Sequence, residues 1–454
     1  MARTLPKTLL MSALLLTTAN TMAADLSRSE QTIVDHVDAR ASSALGVLER
    51  TVNINSGSMN FAGVREVGRM FRAEFDDLGF RTRWVDGAAF GRAGHLVAEF
   101  GERGIHLLLI GHLDTVFELD SPFQRYEQLS PKEARGPGIT DMKGGNVVIL
   151  EALRAIKAAG SIENMQITVI LIGDEELSGR PLRYARADLI KAAEAADVAL
   201  GFEDGDGDPH TAVIARRGYS DWRLEVTGQP AHSSLIFSEA IGDGAIFETA
   251  RVLTRFREVL AQEPFLTLNP GVVLGGTSVD VDESHSRGSA FGKANVIAEK
   301  TVVSGDLRTL SIEQRESAKR RMQSIVATPL PGTHTLLTFT DKYPPLAPSD
   351  GNKTLLALYD SVSQDLGFGA VTAVDPAAAG AADISFTTGL VDMALDGLGL
   401  MGSGGHTVNE TANLETLGSQ TKRAALLMHR LSMNNLEVND VRNTTNRPSG
   451  FTCR

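Results

Sequence analysis

The sequence predicts an α/β fold with a mostly parallel sheet, interrupted by one inserted domain of a different kind. Short apolar runs such as residues 105–110 (IHLLLI) and 166–172 (QITVILI) alternate with helical patterns, as buried parallel strands joined by helices do. The middle of the chain instead carries patterns in the order β-α-β-β-α-β, which is the ferredoxin-like unit. We therefore expect a main α/β domain whose chain leaves to form the insertion and then returns.

Each predicted element rests on its periodicity or on an apolar run of strand length. In the main domain we predict helices at 26–50, 61–79 and 144–158, and strands at 105–110, 166–172, 197–202 and 393–400. In the insertion we predict strands at 221–227, 272–274, 295–306 and 335–340, and helices at 238–262 and 311–326. The insertion then covers residues 217–340, and the main domain covers 24–216 and 341–432.

The composition of the 454-residue chain is that of a folded protein. Hydrophobic residues make up 42% and charged residues 22%, which excludes a disordered or fibrous chain. A formal net charge of -12 and an aromatic content of 6% make nucleic acid a poor candidate partner. The one cysteine, Cys453, allows neither an intrachain disulfide nor a cysteine-based zinc site.

Both ends of the chain depart from this composition. Arg3 and Lys7 precede an apolar run at 8–16, and small residues follow around 18–24, which is the layout of a signal peptide over residues 1–23. The apolar run is too short for a comfortable membrane span. We therefore expect a secreted or periplasmic protein, free of the membrane after cleavage near Ala23. The polar segment 433–454 is predicted to be a disordered tail.

Histidines and acids follow four predicted strands of the main domain. They are His112 and Asp114 after the first strand, Glu175 and Glu176 after the second, Glu203 after the third and His406 after the fourth. Asp141 adds a carboxylate in a glycine-rich turn (GPGITDMKGG) before a helix. Because ligands of α/β sheets collect at the carboxyl ends of the strands, we expect these side chains to share one cleft.

The expected cleft has the residue types of a metal centre. Several ionised carboxylates can share a cleft only where a cation compensates their charge. Imidazole and carboxylate ligands without thiolates suit zinc, and manganese or cobalt also fits. Five ligands with one of them bridging suit two ions. Asp114 could hold the second ring nitrogen of His112, and one of Glu175 and Glu176 could serve as a general base while the other binds metal.

The motifs around these residues resemble the zinc exopeptidases and deacylases that include glutamate carboxypeptidase, aminoacylase-1 and succinyl-diaminopimelate desuccinylase. The matching segments span nearly the whole mature chain: GHLDT at 111–115, GPGITDMKGG at 136–145, DEELSG at 174–179, FE at 202–203 and GGHTVNE at 404–410. The resemblance implies a zinc-exopeptidase-like catalytic domain, with the insertion as a lid or dimerisation domain. It also implies two divalent metal ions per chain.

Carried over residue by residue, the resemblance implies a role for each of the seven side chains. The metal ligands would be His112 and Glu203 on one ion, Glu176 and His406 on the other, and Asp141 on both. Asp114 would orient a ligand histidine, and Glu175 would be the general base.

Three residues of the insertion also match positions of this family. They are His232 in GQPAHSS, Asn295 in KANVIAEK and Arg308 in GDLRTL. The resemblance implies that His232 stabilises the oxyanion and that Asn295 and Arg308 hold the substrate. One loop departs from the family pattern: its glycine-rich stretch before a Ser/Thr-Asp pair appears here as AAAGAADIS, with Ala382 before Asp383.

The function that follows is metal-assisted hydrolysis of an amide bond next to a free carboxylate, in a small peptide or an N-acyl amino acid. Glu175 would remove a proton from water and return it to the leaving amine, and Arg308 would bind the carboxylate. An N-acyl-amino-acid deacylase is an alternative that the motifs do not separate from a carboxypeptidase. A non-catalytic solute-binding protein is the alternative from another class, which the complete ligand set and the additional Glu175 disfavour.

The resemblance further implies a homodimer formed through the lid domain, in which His232 reaches the metal site of the partner subunit. An exposed lid strand could pair with its twin about a two-fold axis, and two-fold dimers are the commonest oligomers. The alternative is a monomer in which His232 swings into its own site on closure.

Overall fold

The computed structural model describes residues 26–282 and 287–433. The predicted signal peptide and, apart from Met433, the predicted polar tail lie outside these residues. In the described part of the chain, no helix combines the length and the apolar character that a membrane span requires.

The helices and strands are numbered here in chain order. The helices are α1 (Arg28–Val52), α2 (Phe61–Asp77), α3 (Gly144–Ala158), α4 (Leu182–Ala185), α5 (Ala187–Ala195), α6 (Gly244–Leu260), α7 (Ile312–Val326), α8 (Asp350–Asp365) and α9 (Glu415–Met433). The strands are β1 (Arg81–Asp86), β2 (Gly94–Phe100), β3 (Ile105–His112), β4 (Glu127–Ser130), β5 (Glu133–Arg135), β6 (Met165–Ile172), β7 (Val198–Gly201), β8 (Thr211–Ala212), β9 (Gly218–Gly228), β10 (Thr267–Gly276), β11 (Ser278–Asp282), β12 (Arg287–Phe291), β13 (Lys300–Thr309), β14 (Thr333–Tyr343), β15 (Thr372–Ala373), β16 (Met393–Leu395), β17 (Gly402–Ser403) and β18 (Thr411–Asn413).

The main sheet has the strand order β1-β2-β6-β3-β7-β16. β3 pairs in parallel with β6 and β7, β16 pairs in parallel with β7, and β2 runs against both of its neighbours. The predicted α/β class is confirmed. Because β6, β3 and β7 are adjacent and parallel, the loops after them leave from the same edge of the sheet.

The apolar run of β3 shows why this sheet is buried on both faces. Leu107 and Leu109 belong to the larger core cluster, which includes residues of α1, α3 and α9. Leu108 and Ile110, which point to the opposite face, pack in a second cluster with residues of α4 and α5. A strand between two helical layers needs apolar side chains at every position, and that is what the sequence IHLLLI provides.

Residues 218–343, called the inserted segment below, form an antiparallel sheet with the order β10-β13-β9-β14. Residues of α6 and α7 share one cluster with Trp222 and other residues of this sheet. The elements follow one another as β-α-β-β-α-β, with the hairpin β11–β12 added after β10. The chain passes between the main domain and the inserted segment twice, and these two connections are called the chain crossings below. They lie side by side where Arg216 and Leu346 exchange two backbone hydrogen bonds of 2.9 Å.

Several predicted boundaries are wrong: β10 begins at Thr267 and not at 272, β16 ends at Leu395 and not at 400, and α6 begins at Gly244 and not at 238. The sequence also predicts a strand over 295–306, whereas β13 covers Lys300–Thr309. Residues before Lys300 instead follow the loop after β9: the N–H of Ile297 donates to the carbonyl of Ala231, and His232 and Val296 form an isolated bridge. The apolar residues of NVIAE therefore belong to a partly buried turn and do not form a strand.

Candidate metal centre

Two groups of side chains meet at the carboxyl edge of the main sheet, and they share Asp141. In the first group, Nε2 of His112 lies 2.9 Å from Oδ1 of Asp141 and 3.6 Å from Oε1 of Glu203. In the second, Nε2 of His406 lies 2.9 Å from Oδ2 of Asp141 and 3.1 Å from Oε2 of Glu176. Within each group, the three candidate ligand atoms lie within 4.8 Å of one another. The structure therefore brings together all five predicted ligands, with one oxygen of Asp141 in each group.

Each ligand is placed by the end of an element or by an unusual turn. His112 is the last residue of β3, and Glu203 follows β7 by two residues. Asp141 lies in the helical turn Ile139–Lys143, where its φ of -116° and ψ of 87° interrupt the helical conformation before α3. His406 has a φ of 62°, in the left-handed region that residues other than glycine seldom adopt.

The charges of this cluster favour a positive occupant between the carboxylates. Hydrogen bonds with Asp141 and Glu176 raise the pKa of His406 to about 11. Burial lowers the pKa of His112, but the charge of Glu203 and hydrogen bonds with Asp114 and Asp141 outweigh it and raise that pKa well above its usual value. Burial and the charge of Asp141 raise the pKa of Glu176 to about 7. The raised pKa values of the two histidines show that the surrounding carboxylates attract positive charge. Bound cations would supply that charge in place of the imidazole protons.

An unpaired oxygen also fits a bound cation. Oε1 of Glu176 is buried and has no hydrogen-bond partner among the described residues. A buried carboxylate oxygen without a partner is costly, because its hydration is lost without replacement. A divalent cation held by Asp141, Glu176 and His406 would compensate that oxygen, and the imidazole and carboxylate donors suit zinc, cobalt or manganese.

Asp114 joins the two groups to the loop after β6. The predicted contact with the second ring nitrogen of His112 is made more closely by its backbone: Nδ1 lies 3.0 Å from the Asp114 carbonyl oxygen and 3.5 Å from Oδ1. The carboxylate accepts hydrogen bonds from the N–H groups of Glu175 (3.0 Å) and Glu176 (3.1 Å), and from the hydroxyl of Ser58 (2.6 Å). Asp114 therefore fixes His112, a candidate ligand, and the two adjacent glutamates relative to one another.

The electrostatic surroundings of Glu175 favour the protonated form of its carboxyl group. Burial is the first cause, and the charges of Asp383, Glu203 and Glu176 add to it, so that the pKa of Glu175 lies well above its usual value. A carboxylate with a raised pKa transfers protons more effectively near neutral pH than an ordinary surface glutamate does.

Glu410 is a site residue to which the sequence patterns assign no role. Its buried carboxylate accepts hydrogen bonds from the backbone N–H groups of Gly138 (2.9 Å), Thr140 (2.9 Å) and Asp141 (3.1 Å). Since Glu410 follows His406 in the same loop, it ties the loop that carries His406 to the turn that carries Asp141. The available signal was its place as the last residue of GGHTVNE.

Asp396 is a second residue that the sequence does not single out. Its Oδ2 accepts a hydrogen bond of 2.7 Å from Nε of Arg216, and its Oδ1 lies 3.4 Å from the backbone nitrogen of Glu203, which donates to it. Both side chains of this ion pair are buried. Asp396 follows β16 without any motif, so no sequence signal indicates that it supports Glu203.

The three predicted residues of the inserted segment occupy its two opposite ends. The N–H of Ser233 donates to the carbonyl of Asn295 (2.9 Å), so that His232 and Asn295 lie together beyond the end of β9. Arg308 lies at the other end of β13, where Nε donates to Asp306 (3.0 Å) and the guanidinium lies 5.2 Å from the ring centre of Tyr219. None of the hydrogen bonds or ion pairs of the described residues joins these three side chains to the five candidate ligands.

The comparisons with known proteins agree with this arrangement. The family model of peptidase family M20/M25/M40 matches residues 108–430. Carboxypeptidase G2 of Pseudomonas sp. (strain RS-16) is 25% identical over 367 residues, covering 79% of this chain and 82% of that protein. Acetylornithine deacetylase of Edwardsiella ictaluri is 25% identical over 244 residues, covering 51% and 61%.

Solved structures of similar fold extend over most of the chain. Aminopeptidase PepT from Bacillus cereus superposes with a TM-score of 0.67 at 18% identity, covering 86% of this chain and 98% of that one. The YXEP protein of Bacillus subtilis, described as a dinuclear metal binding peptidase, gives 0.60 at 15% identity, covering 87% and 99%. The fold and the site thus define a metallopeptidase or amidohydrolase. The chain belongs to peptidase family M20/M25/M40, and the resemblance of its motifs to that family is confirmed.

Removal of the Asp141 carboxylate should weaken the binding of both ions, because each group contains one of its oxygens. We expect Asp141→Ala to lower the metal content of purified protein from up to two divalent ions per chain towards none, measured by elemental analysis after dialysis. Asp208→Ala, an exposed acid of the neighbouring loop, is the control and should keep the wild-type content. Two tightly retained ions in Asp141→Ala would contradict the bridging position.

Glu410→Gln should lower metal affinity without removing any candidate ligand. In the variant, the NH₂ group of the amide replaces one of the two oxygens that accept hydrogen bonds from backbone N–H groups. The turn that carries Asp141 therefore loses hydrogen bonds that hold it. Changes in residues that support metal ligands typically cost 10–100-fold in affinity, and we expect a loss of about that size in titrations with Co²⁺. Glu415→Gln, which alters an exposed glutamate of the same region, should titrate as wild type; equal affinities in all three proteins would refute the role of Glu410.

Proposed function

We propose that this chain is a secreted or periplasmic hydrolase that binds two divalent cations, preferably Zn²⁺, and cleaves the amide bond next to a free carboxylate. In this proposal it acts as a glutamate-carboxypeptidase-like exopeptidase on small peptides or N-acyl amino acids. The observation that carries it is the sharing of Asp141 between two complete ligand groups, with Glu175 beside them as an additional carboxylate. The basic, apolar and small-residue pattern of residues 1–23 supports the proposed export.

The residues of the chain divide the proposed reaction between them. Bound cations supply charge that polarises a carbonyl group and lowers the pKa of water. Glu175 accepts a proton from the attacking water and gives it to the leaving amine. His232 donates to the oxyanion once the inserted segment closes over the site. Arg308 binds the substrate carboxylate through paired N–H donors, and Asn295 holds the substrate beside His232.

A deacylase of N-acyl amino acids is the second candidate function. The similarity to acetylornithine deacetylase favours it, and the same ligand groups and the same base would serve, because both reactions hydrolyse an amide. A panel of dipeptides and N-acyl amino acids offered to zinc-loaded protein separates the two functions by their relative kcat/KM. Chelation should abolish the activity on either class of substrate.

We propose that the inserted segment acts as a lid and pairs two subunits. His232 and Asn295 lie near the Lys300 end of β13. Arg308 follows Lys300 by eight residues, so about 26 Å of strand separates Arg308 from that end. The Arg308 end is the one beside the chain crossings, since Thr309 pairs with Gly218. A partner subunit can bring His232 to a site that its own chain reaches from the Arg308 end.

An apolar patch beside His232 supports the same arrangement. Leu235, Phe237 and Phe247 are all exposed, and the rings of Phe237 and Phe247 lie 5.4 Å apart. Exposed apolar side chains that cluster in this way mark interaction surfaces more often than isolated ones do. A second copy of the inserted segment would bury the patch and place His232 close to the interface.

Replacement of the proposed base tests the mechanism. Glu175→Gln keeps the size of the side chain but cannot accept a proton at neutral pH, and general-base catalysis typically supplies about 10²–10⁴-fold in rate. We expect a fall of that size in kcat on the best substrate of the panel, with both ions still bound. Glu176→Gln is the comparison and should lower metal affinity instead. A near-normal kcat in Glu175→Gln would show that another group is the base.

Replacement of Arg308 tests the carboxylate requirement. Arg308→Ala should raise KM strongly for substrates that end in a carboxylate and much less for the corresponding amides, because only the former lose a charge-assisted pair. The ratio of the two KM values, measured in wild type and variant, isolates this contact. A similar rise for both kinds of substrate would exclude a carboxylate clamp at Arg308.

Complementation tests whether His232 acts across a dimer. Inactive His232→Ala and Glu175→Gln chains are mixed under conditions that allow subunit exchange. A mixed dimer then has one intact site, made of Glu175 from one chain and His232 from the other, and activity should return to at most about half of wild type per mixed dimer. No recovery despite demonstrated exchange would place His232 in the site of its own chain.

A further inference from the structure

The backbone of Glu175 is held on both sides, by two different parts of the chain. Its N–H donates to Oδ1 of Asp114 at 3.0 Å, within the main part of the molecule. Its carbonyl oxygen accepts a hydrogen bond of 3.2 Å from the hydroxyl of Tyr343. Tyr343 is the last residue of β14 and belongs to the inserted segment. The position of Glu175 therefore depends on where the inserted segment lies.

A buried network surrounds this hydroxyl, and its arginine limits where the hydroxyl proton can point. Nη2 of Arg186 donates to the Tyr343 oxygen at 3.0 Å, and the hydroxyl of Ser178 lies 3.1 Å away. Arg186 is itself fully buried and paired with Asp174 (2.6 Å) and Asp383 (2.7 Å). Because Arg186 can only donate, it leaves the proton of Tyr343 free to point at the carbonyl of Glu175.

Tyr343 stands where the inserted segment joins the main part. It faces Tyr219 across the sheet, and Pro344 and Pro345 separate it from Leu346, which is bonded to Arg216 at the chain crossings. Because the prolines fix two φ angles in this connection, the connection is stiff, and Tyr343 would follow a rotation of the sheet. A movement of the inserted segment about the crossings displaces β14 and with it the hydroxyl on Glu175.

We propose that Tyr343 is a positioning residue that couples the orientation of the inserted segment to the placement of Glu175. The proposal rests on the proposed function of Glu175 as the base. In the orientation seen here the hydroxyl holds the Glu175 carbonyl, and a rotation away from it releases that peptide group. Substrate that favours the orientation seen here then also favours the held position of the base.

Tyr343→Phe tests the coupling, because it removes one hydroxyl and keeps the ring that packs 5.1 Å from Phe386. We expect kcat to fall about tenfold, the size of effect that about 1.4 kcal/mol produces, with KM within about twofold of wild type and unchanged metal content. Tyr359→Phe is the matched control, since it removes a buried hydroxyl that lies 3.3 Å from Gln420, between α8 and α9. It should leave kcat unchanged.

Amide hydrogen exchange provides a readout that does not require turnover. In Glu175→Gln chains, addition of the best panel substrate should slow exchange of the amides of residues 173–179, because the oriented segment holds this loop. In the double variant Glu175→Gln with Tyr343→Phe, the same substrate should leave exchange in this loop unchanged. Exchange in the Asp141 turn should respond to substrate equally in both proteins.

The outcomes separate this coupling from the proposed function. An unchanged kcat in Tyr343→Phe, or an equal loss in both phenylalanine variants, would overturn the coupling while the hydrolase remains. A near-normal kcat in Glu175→Gln would overturn the base assignment, and the exchange measurement would still decide whether Tyr343 controls the loop. If Tyr343→Phe folds poorly, absence of any substrate effect on residues 173–179 in Glu175→Gln alone refutes the coupling.

Discussion

The concentration of buried negative charge around Asp141 is the constraint on which the rest of the site depends. Asp141 shares its two oxygens between two histidines, with Glu203 on one side and Glu176 on the other. Three carboxylates so close together would repel one another and drive protonation unless positive charge lies between them. The arrangement is stable as a site only with cations or with charged imidazoles, and this is why its donors are those of a metal centre.

That constraint explains the contacts behind the ligands. Glu410 holds the backbone of the Asp141 turn, Asp114 holds the backbone of the loop after β6, and Asp396 reaches the N–H of Glu203. In each case a carboxylate accepts from the backbone of the residue to be placed. These bonds hold the main chain of Asp141, Glu175, Glu176 and Glu203 and do not involve the carboxylate oxygens of these residues. Orientation by such supporting contacts is what gives a metal site its geometry.

Much of this could be predicted from the sequence, because the signals are local. Apolar runs predicted β3, β6 and β7, since a strand between helical layers must be apolar throughout. The His or Glu residues that follow these runs predicted His112, Glu176 and Glu203 as members of the site. The sequence did not reveal β1 and β2, whose alternating and glycine-containing patterns are weak, or the true start of β13. Nor could it reveal Asp396 and the Arg186 network, because these contacts join residues more than a hundred positions apart or lie outside any motif.

The length of its strands separates the two ends of the inserted segment, and the two proposed roles of the segment lie at different ends. Its strands of 10 or 11 residues, β9, β13 and β14, separate its ends by about 30 Å. Tyr343 and Arg308 lie at the end beside the crossings, where a rotation of the segment would give the smallest displacement and where Tyr343 contacts the Glu175 carbonyl. His232 lies at the far end, where the same rotation would give the largest displacement, as the proposed closure over the site requires. A small displacement near the crossings would be enough to make or break the single Tyr343 hydrogen bond of 3.2 Å, whereas His232 would have to travel much further to reach the candidate metal centre.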